Sequence, residues 1–144
     1  MTSRQEIILE FELQASNFDV AGEASSKTKR VLQQIGVRAD VIRRIAISAY
    51  EGEMNTIIHS LGGTMRVIIF PDRTEIRFED QGPGIADINL AMQEGYSTAP
   101  DYVRKMGFGA GMGLPNMARC TDTFDIQSEV GVGTKIMMVV FHSS

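Results

Sequence analysis

Glu51 and Asn55 lie four residues apart in a stretch with helical apolar spacing. At that spacing a carboxylate and an amide share one helix face, offset by roughly 40°. His59 continues the same stripe, whereas Glu53 lies roughly 200° from Glu51 and faces elsewhere. Such a pair can hold a hydrated Mg²⁺, an ion that prefers few protein ligands, several waters and phosphate oxygens. It can also orient a reacting hydroxyl. The same spacing describes an ordinary solvated polar pair.

A second cluster begins at Asp80-Gln-Gly82-Pro-Gly84, at the end of an expected strand. An aspartate there can accept a hydrogen bond from an exocyclic amine, and glycines beside it let a flat ring approach the backbone. Nine of the 14 glycines fall between Gly82 and Gly133, four of them in the run Gly107-Phe-Gly109-Ala-Gly111-Met112-Gly113. Bare N–H groups in such a run, placed before a helix, can fold over phosphates. The run is not a P-loop, because no Gly-Lys-Ser/Thr follows it. Its spacing also does not match a dinucleotide fingerprint.

The elements that must position these groups follow from periodicity. Ile7, Leu9, Phe11 and Leu13 alternate with Ile8, Glu10 and Glu12, which predicts a strand over 5–13. The polar break Ala15-Ser-Asn17 offers a cap for a helix over about 18–36, ending at Gly36. Asp40 is the expected cap of a longer helix over about 41–61, stopped by Gly62-Gly63. Strands are expected at 64–70 and 74–80, joined by the turn Pro71-Asp-Arg73. A short helix near 86–94, another at 113–121, and strands at 123–130 and 134–142 complete the chain. The turn Gly131-Val-Gly133 joins the last two. This order predicts an α/β (α+β) two-layer sandwich: a mixed, mostly antiparallel sheet with helices on one face, forming a single domain over 1–144.

The whole-chain chemistry narrows the partners. Length 144 suits one domain, and 43% hydrophobic with 22% charged residues suits a soluble globular one. A formal charge of −4 argues against nucleic-acid binding by phosphate neutralisation. No apolar run approaches the roughly 20 residues of a membrane span, and no N-terminal signal is visible. The lone Cys120 excludes an internal disulfide and fits a cytoplasmic location; it reads as a small buried residue. The nine methionines read as core filler.

Taken together, the motifs resemble the ATPases of the gyrase, heat-shock chaperone, histidine kinase and MutL superfamily, which share the Bergerat ATP-binding fold. The matching pieces are Glu51-Gly-Glu-Met-Asn55, Asp80-Gln-Gly-Pro-Gly84, the glycine-rich lid Gly107 to Gly113 with Leu114, and Gly131-Val-Gly-Thr134. Within that superfamily, the chain is similar to the small serine/threonine kinase branch of anti-sigma factor kinases and stressosome switch kinases. Gly95-Tyr-Ser-Thr98 and Gly109-Ala-Gly-Met-Gly-Leu-Pro115 are especially like the switch kinases. The chain departs from the pattern at Tyr50, where family members often have Ser, and in a longer segment between Ser97 and Gly107.

The resemblance implies phosphorylation of a serine or threonine on a small partner of the anti-sigma-factor-antagonist (STAS-like) fold. A sigma factor or a phosphatase is the alternative partner, and a homodimer is an assembly the resemblance allows. ATP and Mg²⁺ are the implied cofactors. Glu51 is the implied base and Asn55 the Mg²⁺ ligand. Asp80 would read the adenine amine, supported by Thr134, with Gly82 and Gly84 leaving room for the base. Gly107, Gly109, Gly111, Met112, Gly113 and Leu114 form the implied phosphate lid. Arg104 or Lys105 is the candidate contact for the terminal phosphate, and His59 a further candidate at the nucleotide. A binding module that holds nucleotide with little turnover is the competing function.

Overall fold

Alternation of apolar and polar side chains builds the sheet, as it does wherever one sheet face is buried and the other wet. The computed structural model describes residues 6–85, 87–93 and 113–143. The strands are β1 (Ile7–Leu13), β2 (Gly63–Ile69), β3 (Arg73–Asp80), β4 (Thr123–Glu129) and β5 (Gly133–Phe141). They lie in the order β1-β2-β3-β5-β4. The expected antiparallel character is present in all four pairings.

One face of this sheet carries Met65, Val67 and Ile69 of β2, Ile76 and Phe78 of β3, and Ile136, Met138 and Val140 of β5, all buried. The other face carries cross-strand and neighbouring ion pairs: Arg66–Glu10, Arg77–Glu75 and Lys135–Glu79. A fully buried side chain of the Ile, Met or Phe kind contributes about 1.5–3 kcal/mol. A core of this size therefore holds the fold without the single cysteine, which is free.

The helices are α1 (Glu23–Gln34), α2 (Ala39–His59), a one-turn α3 (Ile88–Ala91) and α4 (Gly113–Cys120). α2 lies on the apolar face of the sheet and packs against α1 and α4. At Gly52 the helix runs so close to the sheet that any Cβ would overlap the Phe78 ring. Among the described residues no helix is long and apolar enough to cross a membrane.

Two helix starts differ from expectation. The span expected as one helix from 18 is a single 3-10 turn (Phe18–Val20), a break, and then α1. Asn17 makes no capping bond. The cap comes instead from α2: the Glu53 carboxylate accepts from Gly22 N–H (3.0 Å), Ala24 N–H (3.3 Å), Ser25 N–H (3.1 Å) and the Ser25 hydroxyl (2.6 Å). A carboxylate there satisfies orphan donors and meets the positive end of the α1 dipole. Asp40 likewise lies inside the first turn of α2 and pairs with Arg38 at 2.8 Å, so it is not the cap.

Glu53 is 1% exposed, so its loss leaves buried donors without acceptors. Glu53→Ala is expected to destabilise the fold by about 3 kcal/mol, read as a lowered urea midpoint at unchanged slope. A loss below about 1 kcal/mol would show that water replaces the carboxylate and that the clamp contributes little.

Candidate nucleotide and phosphoryl-transfer site

The end of the sheet where β2 starts, β3 ends and β5 starts gathers the second cluster. Gly63 pairs with Asp80, and Thr134 pairs with Ser128. The two pairs are joined because Thr134 N–H donates to Asp80 Oδ1 at 3.0 Å. All of these side chains lie on the helix-facing side, since Asp80 follows Phe78 and Thr134 precedes Ile136 by two residues. Among the described residues Asp80 Oδ2 takes no bond and remains available to a ligand donor. Burial pushes the Asp80 carboxyl above the usual carboxylate range, and the Thr134 N–H opposes the shift.

Glycines make this arrangement possible. Gly133 has φ +152°, and a Cβ there would overlap the Asp80 carbonyl. Gly84 has φ +74°, and its Cβ would overlap the Glu129 carbonyl, so its need for glycine comes from the neighbouring hairpin. Gly82 approaches Ser60 Cα, with a Cβ position 3.1 Å away. The Gln81–Pro83 loop is tied on one side by Leu61 N–H to the Gln81 carbonyl (2.7 Å). On the other it is tied by Gly82 N–H to the Val132 carbonyl (3.2 Å) and Gly131 N–H to the Pro83 carbonyl (2.9 Å).

α2 supplies the other wall. Glu51 is partly buried and points toward the start of α4. Asn116 Nδ2 donates to its Oε2 at 3.4 Å, and its Oε1 lies 3.5 Å from where a Gly113 Cβ would be. Asn55 and His59 are both partly buried, one and two turns further along α2. His59 is pushed below the usual histidine range by burial. The stripe Glu51–Asn55–His59 therefore runs from the start of α4 toward Ser60–Gly62, the turn that leads into Gly63 beside Asp80.

The Leu114 side chain turns away from the surface of the site. It is 6% exposed and packs in the core with Met117, because the pitch of α4 turns both inward. Pro115 is tolerated in the first turn, where its missing N–H is no loss. Arg104, Lys105, Gly107, Gly109, Gly111 and Met112 lie outside the described residues.

Two polar residues of the site were not singled out from the sequence. Asn116 touches Glu51 one turn into α4, and a helical reading onward from Gly113 locates it. Ser128 touches Thr134 across the β4–β5 hairpin, and only the strand register locates it. Among the described residues no group of three or more His, Cys, Asp or Glu is placed to hold a metal.

The arrangement can bind a flat amine-bearing ring at Asp80 and place a carboxylate and an amide along the path leading away from it. Comparison with known proteins gives the family and the fold. Residues 49–143 match the family described as histidine kinase-, DNA gyrase B-, and HSP90-like ATPase. The chain is 31% identical to the serine/threonine-protein kinase RsbT of Bacillus subtilis over 115 residues, 77% of this chain and 80% of that one. It is 33% identical to an anti-sigma F factor of Clostridium acetobutylicum over 99 residues, 65% of this chain and 66% of that one. Its fold is similar to that of a mycobacterial sensor histidine kinase, MprB, with TM-score 0.52 and 18% identity over 94% of this chain and 97% of that one.

Proposed function

The chain belongs to the histidine kinase-, DNA gyrase B- and HSP90-like ATPase family, on the side of its small serine/threonine kinases and anti-sigma factors. From that premise we propose that it is an ATP-dependent serine/threonine protein kinase whose substrate is a small antagonist-fold (STAS-like) protein in a bacterial partner-switching pathway. The observation that carries this reading is the Glu51 carboxylate directed at the start of α4, one turn from Asn55. Binding and release of nucleotide alone needs no general base.

The roles follow from the chemistry of phosphoryl transfer, in which positioning and charge stabilisation dominate. Asp80 Oδ2 accepts from the exocyclic amine of adenine while Oδ1 keeps the Thr134 N–H. Gly113 begins α4, whose unpaired N–H groups and dipole favour phosphate oxygens. Glu51 takes or orients the proton of the attacking serine or threonine hydroxyl. Asn55 fits a divalent cation, because it is partly buried and its amide makes no hydrogen bond among the described residues. Asn55 would hold Mg²⁺ there, and the ion would supply positive charge to offset that of the phosphates.

The similarity to anti-sigma F factors supports a second reading, a nucleotide-gated module that sequesters a sigma factor. One assay separates the two. The chain is incubated with Mg²⁺ and γ-labelled ATP beside each small antagonist-fold protein of its own genome. The kinase reading expects acid-stable label on a serine or threonine of one of them. Stoichiometric ATP binding with no label in any partner would contradict it and favour the binding module.

A further inference from the structure

The Glu51 carboxylate is held from one side. Among the described residues a single hydrogen bond reaches it, from Asn116 Nδ2 to Oε2 at 3.4 Å. Oε1 takes none and lies at the start of α4, 3.5 Å from where a Gly113 Cβ would be. The carboxylate therefore lies along the first turn of α4, with Oε1 at its opening and Oε2 at Asn116. Chemistry fixes which end of the Asn116 amide faces Glu51. A guanidinium only donates and an ionised carboxylate only accepts. Arg119, three residues on along the same face of α4, donates to Asn116 Oδ1, which leaves the amide NH₂ for Glu51. At 3.4 Å the bond to Glu51 is longer than the usual N–H···O range of about 2.7–3.2 Å. Bonds to catalytic groups are often long in unliganded sites and tighten when the substrates bind.

We propose that Asn116 is a positioning residue for phosphoryl transfer. It holds Oε2 of Glu51, so that Oε1 is the oxygen that takes the proton of the attacking hydroxyl. This rests on the reading of Glu51 as the base of a kinase. In the transfer step the hydroxyl oxygen of the partner's serine or threonine bonds to the γ-phosphorus of ATP. The bond from that phosphorus to the β,γ-bridging oxygen breaks, and ADP leaves with its electron pair. The hydroxyl proton passes to Oε1. An untethered carboxylate turns about its last bond, whose torsion is broad, and presents either oxygen or neither to the hydroxyl. Asn116 removes that freedom. It also ties the base to the same turn of α4 whose N–H groups favour phosphate oxygens, so the proton acceptor and the phosphates keep one geometry.

Single-turnover transfer from ATP to the antagonist-fold partner, with ATP affinity measured in parallel by calorimetry, tests this. Asn116→Ala is expected to slow transfer about ten- to a hundredfold, the scale of one hydrogen bond to a charged group. The dissociation constant for ATP should stay within about threefold, which also shows that the variant folds. In a Glu51→Gln background the same substitution is expected to slow transfer by less than about twofold, because no base is left to position. A residue that merely packed α4 would slow both backgrounds alike. Undiminished transfer by Asn116→Ala, a loss confined to ATP affinity, or an equal further loss in the Glu51→Gln background would overturn the role given to Asn116. Undiminished transfer by Glu51→Gln alone, or no transfer by the unsubstituted chain, would overturn the kinase reading itself, and the Asn116 proposal with it.

Discussion

Glu51→Gln is expected to slow phosphoryl transfer by about two to four orders of magnitude, the usual worth of a positioned general base. The substitution keeps the size of the side chain and an oxygen that can accept from Asn116, so the contact with α4 persists. What disappears is the ability to take a proton. Single-turnover transfer to the partner should therefore fall while the dissociation constant for ATP stays within about threefold. A loss confined to ATP affinity would instead assign Glu51 to ground-state binding. Undiminished transfer would remove it from the chemistry.

Asp80→Asn separates binding from stability in a way few substitutions do. In the wild type Oδ1 accepts from Thr134 N–H and Oδ2 is open. An asparagine that keeps the Thr134 bond through its oxygen turns its NH₂ toward the adenine amine, so two donors meet. Losing a hydrogen bond to a charged group costs about 1.5–3 kcal/mol, which corresponds to a loss of ATP affinity of about ten- to a hundredfold. Stability should move the other way. Burial raises the Asp80 pKa above its unfolded value. Its contribution to stability is therefore greatest below the ordinary carboxylate pKa and is lost as pH rises through the folded value. The ionised form of this half-buried carboxylate carries a desolvation cost that a neutral asparagine avoids. The variant is thus expected to melt no lower than the wild type, and the wild type to lose ATP affinity as acid protonates Asp80. A variant with unaltered ATP affinity, or wild-type affinity that improves on acidification, would contradict the adenine-reading role.

Much of the fold was legible because its determinants are local. The alternation around Ile7–Leu13 marks β1, and its odd positions face the core while Ile8 stays 45% exposed. The i, i+4 spacing of Glu51 and Asn55 put both on one face of α2, and the structure keeps Glu53 on another, turned to α1. What escaped the reading depends on partners distant in the chain. The α1 start was misplaced because its cap, Glu53, lies 28 residues beyond Ser25 and on another helix. Asp40 had the right chemistry for a cap, but its bond to Arg38 holds it within the first turn.

The site divides along the same line. Asp80 and Thr134 were recognisable as members of motifs, but their direct bond spans 54 positions and exists only through the β3–β5 pairing. Ser128 and Asn116 belong to the site through strand register and helix pitch, and neither carries a motif of its own. Gly84 was expected to make room for a base; the sequence could not show that the Glu129 carbonyl occupies the space where its Cβ would stand. Leu114 sits beside a phosphate-lid pattern in sequence, yet the turn of α4 sends its side chain into the core.

The Asp80 end of the sheet and the Glu51 end of α2 are expected to bind one and the same nucleotide. Amide NMR spectra recorded during titration with ATP and Mg²⁺ test this most directly. The Thr134 and Gly113 signals should shift together, follow one binding curve and saturate at one nucleotide per chain. Shifts at only one of the two, separate binding curves, or no shifts at all would contradict it.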